Sequence, residues 1–226
     1  DANTTGSYNT GIGYASLGAN TTANYNTGIG SYALTTNTTG GYNTAIGFNT
    51  LFYNTTGAYN ASIGQESMQA NTTGVNNTAS GYRALYANTT GMRNVAIGSN
   101  ALDANTTGSY NTSVGTFSMD VNTTGANNTG LGYGALNVNT TASNNTATGY
   151  LALAANTTGD ENTPVGKDSM LDNTTGAGNS AFGMESLTNN TTGAENAAYG
   201  KISMFYNSTG GANAAFGYGA LRFNTT

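Results

Sequence analysis

The chain contains no histidine, no cysteine, no tryptophan and a single proline, Pro164. Without His and Cys it lacks the commonest general base, the soft metal ligands, a thiol nucleophile and any disulfide. Most enzyme mechanisms are thereby excluded, and the expectation is a non-enzymatic chain with no cofactor. A chain without thiols suits an oxidising or a reducing compartment equally. Charge is scarce too: ten acidic and five basic residues give a net −5, and charged residues make up 7% of the chain where about 25% is usual. The first 65 residues carry only Asp1. No basic patch is available for nucleic acid and no acidic run forms a tail. No apolar run approaches the roughly 18 to 20 residues of a membrane span, and no charged segment followed by an apolar one opens the chain. Beginning at Asp1 and stopping inside a motif at Thr226, it reads as an excerpt of a longer fibre.

Amides, hydroxyls and 33 glycines take the place of charge. They recur with a fixed period. Asn-Thr-Thr, once as Asn-Ser-Thr, begins at Asn3, Asn20, Asn37, Asn54, Asn71, Asn88, Asn105, Asn122, Asn139, Asn156, Asn173, Asn190, Asn207 and Asn224, every step being 17 residues. Thirteen complete units fill residues 3–223, a single continuous array over 1–226. Their common pattern is N-T-T-G-x-x-N-T-small-I/V-G-Y-x-A/S-L/M-x-x. The first Asn, the third-position Thr, the seventh-position Asn and the eleventh-position Gly never vary among the copies.

Asn, Thr and Gly rank low in helix propensity, and helical repeats need about twice this length. Seventeen residues instead suit one turn of a parallel β-solenoid, so the expected fold is all-β, a β-roll with one coil per repeat. At about 3.3 Å per residue a coil traces a perimeter near 50 Å, room for two or three short strands, and advances about 4.8 Å along the axis. The tenth position (Ile12, Ile29, Ile46, Ile63, Ile97) is mostly large and apolar, and the fifteenth is always Leu or Met (Leu17 through Leu221). These two columns are the expected core. The eleventh-position Gly is expected at a corner with positive φ, or where the opposite strand or a partner chain packs close.

Stacking places each invariant Asn over its copy, so buried amides can bond along the axis. That structural ladder is assigned to the seventh position: Asn9, Asn26, Asn43, Asn60, Asn77, Asn94, Asn111, Asn128, Asn145, Asn162, Asn179, Asn196 and Asn213. The first-position Asn carries a different signal. All fourteen triplets satisfy the N-x-S/T sequon, making each first-position Asn a candidate for N-glycosylation. Asn and Thr are also turn and ladder residues, so a corner needing Asn-x-Thr would create sequons by itself. Were the triplet extended, Asn and the third-position Thr would share one outward face.

The phrases NTAIG at 43–47 and NVAIG at 94–98, each followed by a small residue and Leu, resemble the head repeats of trimeric autotransporter adhesins. They are also similar to NTAIGYxALxxNTTG arrays of bacteriophage tail-fibre and related surface proteins. That resemblance implies a parallel β-roll, often trimeric, serving as a stalk or a host-contact surface.

Tyrosines at positions six and twelve (Tyr8, Tyr25, Tyr42, Tyr59; Tyr14, Tyr82, Tyr133, Tyr150) can cover the edge of the core or stack on sugars. The carboxylates never recur in register, so no metal array is expected. Asp160, Glu161, Glu66 and Glu185 lack an orienting His or pocket and read as solvated charges. Two functions follow. The first is an extracellular fibre or stalk on a cell or virion surface, self-associating as a filament or an oligomer such as a trimer, with covalent or bound glycans. The second is an adhesive module contacting carbohydrate or an ice lattice through Asn-x-Thr and Tyr rows.

Overall fold

A computed structural model of the chain describes residues 2–226. It is an all-β parallel solenoid with one 17-residue coil per repeat, as the period predicts. Each coil holds one strand of three residues rather than two or three strands, always at positions eight to ten, and the remainder is turn and bend. The chain forms two compact units. The first ends at Asn111 and holds β1 (Thr10–Ile12), β2 (Thr27–Ile29), β3 (Thr44–Ile46), β4 (Ala61–Ile63), β5 (Thr78–Ser80) and β6 (Val95–Ile97). The second runs Thr112–Thr226 and holds β7 (Thr112–Val114), β8 (Thr129–Leu131), β9 (Thr146–Thr148), β10 (Thr163–Val165), β11 (Ser180–Phe182), β12 (Ala197–Tyr199) and β13 (Ala214–Phe216).

Within each unit neighbouring strands pair in parallel, 17 residues apart, so like stacks on like: Ile29 on Ile12 in the first unit, Leu131 on Val114 in the second. Pro164 is the exception. It has no N–H to give the ladder, and the pairing of β9 with β10 shrinks to Val165 on Thr148.

Four positions in every coil have positive φ. The eleventh-position glycines lie at φ 118–142°, the expected corner, and a Cβ on Gly64 would sit 2.5 Å from the Gly81 carbonyl oxygen of the next coil. The corner is the one expected, and the backbone that comes close is that of the adjacent coil of the same chain, not an opposite strand. Position six (56–68°), position thirteen (52–62°) and the Leu/Met of position fifteen (47–57°) are left-handed as well, at about 1–2 kcal/mol for each side chain bearing a Cβ. What offsets this is the direction of the N–H. Tyr42 donates to the Asn24 carbonyl, Gly47 to Ile29 and Asn49 to Ser31, all one coil back, while Leu51 donates to Ser67, one coil forward. Left-handed φ turns each of these N–H groups along the axis, where the adjacent coil supplies a carbonyl.

The interior differs from the expected two-column core. Leu34 through Met204 of the fifteenth column are completely buried, as predicted. The tenth column is not inside: Ile12 is 58% exposed, Ile46 36%, Ile63 47% and Ile97 42%. A three-residue strand has one inward side chain, and here it is the small ninth residue, Ala45, Ala79, Ala96 or Ala147. One Leu or Met, faced by small residues at nine and fourteen, fills the coil, leaving no volume for a second large side chain.

Candidate functional site

The interior that remains is polar, and two asparagine files run through it. Asn20 through Asn207 of the first column are buried. Within each unit the Nδ2 of one coil donates to the Oδ1 one coil back at 2.7–3.4 Å, as Asn54 does to Asn37 and Asn71 to Asn54. The same Nδ2 donates to the fourth-position carbonyl of its own coil, Asn54 to Gly57 at 2.9 Å. Both amide hydrogens are thus engaged, as burial of an amide requires.

The seventh column is built otherwise. Asn43 accepts the backbone N–H of Asn60 on its Oδ1 at 3.0 Å and donates its Nδ2 to the Gly57 carbonyl at 2.8 Å. Gly57 O therefore receives both asparagines and ties the files together. The axial chain of amide on amide falls mainly to the first column. In the seventh the side chain bonds chiefly to backbone, although Asn179 and Asn196 also reach the preceding amide at 3.1 Å.

This arrangement corrects the outward row expected of the sequons. The Asn-Thr-Thr triplet bends instead of extending, so the Asn side chain turns in and the third-position Thr turns out. A sugar on Nδ2 of the buried Asn20–Asn207 column would displace a ladder hydrogen and meet a filled interior. Asn3 is exposed and Asn224 half-buried. Within each unit the second-position hydroxyl donates to the matching carbonyl of the next coil, as Thr38 does to Thr55 at 3.0 Å. Ser208 does the same to Thr225, which explains why Ser substitutes there. The third-position threonines, Thr22, Thr39 and Thr56 among them, are exposed, and nothing in the coil accounts for their invariance.

Three kinds of outer surface result. Tyr8, Tyr25, Tyr42 and Tyr59 stack face to face with centroids 4.8–4.9 Å apart and planes 4–16° from parallel. The rings are exposed, yet their faces cover one another, leaving edges and hydroxyls outward; sugar stacking needs a free face. A second surface is charged. Arg83 meets Asp103 with Nε–Oδ2 3.1 Å and Nη2–Oδ1 3.2 Å, Asn100 donates to Asp103 at 2.9 Å, and the guanidinium lies 4.0 Å from the Tyr86 ring centre. The hydrogen bond to Asp103 raises the Arg83 pKa above its ordinary value, against the lowering by burial. Asp160 and Glu161 are exposed, and Asp160 accepts the Ser143 N–H at 2.7 Å. Among the described residues no three acidic side chains gather as metal ligands.

The third surface is the strand face, with the eighth and tenth side chains outward. The sequence places this column in the core, yet Ser80 and Thr148 break it and Tyr199 enlarges it, which marks a site that tolerates variation in volume or sits partly open; in the structure it is open.

Comparison with models of protein families, with curated protein sequences and with solved structures finds no match.

Proposed function

We propose that this chain is a structural repeat array, a stiff stalk whose working property is length, exposed on a cell, virion or matrix surface. The observation that carries the reading is the sameness of the bonds between coils. Positions two, eight, fifteen and seventeen donate forward and positions six, eleven and thirteen donate back, coil after coil within each unit. Stability in such an array is a sum of nearest-neighbour terms, so it can lengthen without redesign. The surface setting is supported by the resemblance of the NTAIG and NVAIG phrases to surface-fibre repeats.

Insertion tests this directly. Three additional 17-residue units placed between Val138 and Asn139 should leave the circular dichroism per residue unchanged and raise the unfolding midpoint. They should lengthen the particle by about 14 Å in small-angle scattering, at about 4.8 Å per coil. An insertion of eight residues at the same place should break the stack. Collapse on adding whole units, or no change in length, would sink the proposal.

A further inference from the structure

From the strand face we infer that the array associates laterally with further copies of itself, through the file of tenth-position side chains. In the first unit the file is Ile12, Ile29, Ile46, Ile63 and Ile97, interrupted once by Ser80. In the second unit Leu131, Tyr199 and Phe216 stand exposed in the same column, and Phe182, Tyr199 and Phe216 stack with centroids 4.9–5.0 Å apart. Contiguous exposed apolar surface of this kind marks an interaction site.

Three observations select another copy as the occupant. Neither the eighth nor the tenth position holds a charged residue in any coil, so the face offers a charged foreign partner nothing to pair with. The file repeats once per coil, and only an object with the same axial repeat can meet every coil; a second array of these coils has it by construction. Area also suffices. Two outward strand residues per coil offer on the order of 100 Å², so the six coils of the first unit alone present about 600 Å², the lower end of what each partner contributes to a stable interface. Exposed Tyr14, Tyr82, Tyr133 and Tyr150 at position twelve border the file, as aromatics commonly do at interfaces.

The inference deepens the structural reading by naming the partner, and the two can fail separately. The full chain, 22.8 kDa, should sediment as a multiple of that mass. Ile46→Thr, Ile63→Thr and Ile97→Thr together should shift it toward the monomer at equal concentration without changing its circular dichroism, since Ser80 and Thr148 already occupy this column. Because the chain has no cysteine, single thiols report contact cleanly. Ile63→Cys should give a disulfide-linked pair on mild oxidation, and Thr56→Cys, on the third-position row, should not. A monomeric mass at every concentration overturns the inference, as does oligomerisation that survives the triple substitution or equal cross-linking at both thiols. A monomer that suppresses ice recrystallisation overturns it too, and gives the face to a lattice. A monomer that still lengthens on insertion of whole coils removes the interface and leaves the stalk.

Discussion

The inside of the coil and the outside of its strand exchange the usual roles of polar and apolar residues. Asn37, Asn43 and Asn54 are fully buried while Ile46, one strand residue from the interior, is more than a third exposed. The two inner asparagine columns are fixed in identity, whereas the outer column ranges through Ile, Val, Leu, Phe, Tyr, Ser and Thr. Identity is held where a hydrogen-bond pattern must repeat; only general character is held where a surface must be apolar. A buried amide has one arrangement that satisfies its donors, and an identical neighbour provides it. An outward apolar side chain has no such constraint within the chain.

The largest effect should come from breaking the inner side of this comparison. Asn54→Ala would strand Asn37 Oδ1, an Asn71 hydrogen and part of the Gly57 carbonyl's coordination. At about 1–3 kcal/mol for each buried group left unpaired, a loss of about 3–5 kcal/mol is expected, read as faster amide exchange in the coils on either side. If the loss stays below about 1 kcal/mol, the first-column ladder is incidental. Next in size is Leu85→Ala in the fifteenth column. A fully buried Leu truncated to Ala should lose about 2–5 kcal/mol, toward the lower end where small neighbours at nine and fourteen let the coil close. A loss comparable to that of surface variants would mean that the single large apolar residue per coil does little for the stack.

Much of this was legible in the sequence because the repeat supplies its own comparison. The 17-residue period, the parallel coil, the Gly13–Gly217 corner column and the Leu/Met interior all follow from residues that recur without exception or nearly so. The direction of the strand was not legible. Alternation says that the ninth and tenth residues face opposite ways, and assigning the larger one to the interior is the ordinary choice; here the interior has room for Leu17 or Leu34 and nothing else of that size. The first-position Asn was obscured for another reason. Asn3-Thr4-Thr5 reads equally as a corner and as an extended sequon, and the choice depends on amides one coil away, a contact that exists only after stacking. The left-handed φ of Leu and Tyr side chains carries no residue signal at all, because it is imposed by the neighbouring carbonyl rather than by preference.

The smallest effect is also the sharpest test of the comparison. Ile63→Thr alone removes an exposed apolar group from the strand face and retains β-branching, which suits a strand. For the isolated chain the unfolding midpoint should correspond to a change within about 0.5 kcal/mol, an order of magnitude below the Asn54→Ala loss, although Ile63 is the larger and more hydrophobic residue. The same substitution should lower self-association measurably in sedimentation at fixed concentration. A large loss of chain stability from Ile63→Thr would place the tenth column back in the interior. Little loss of stability together with weaker association would establish that the apolar file acts between chains and the amide file within them.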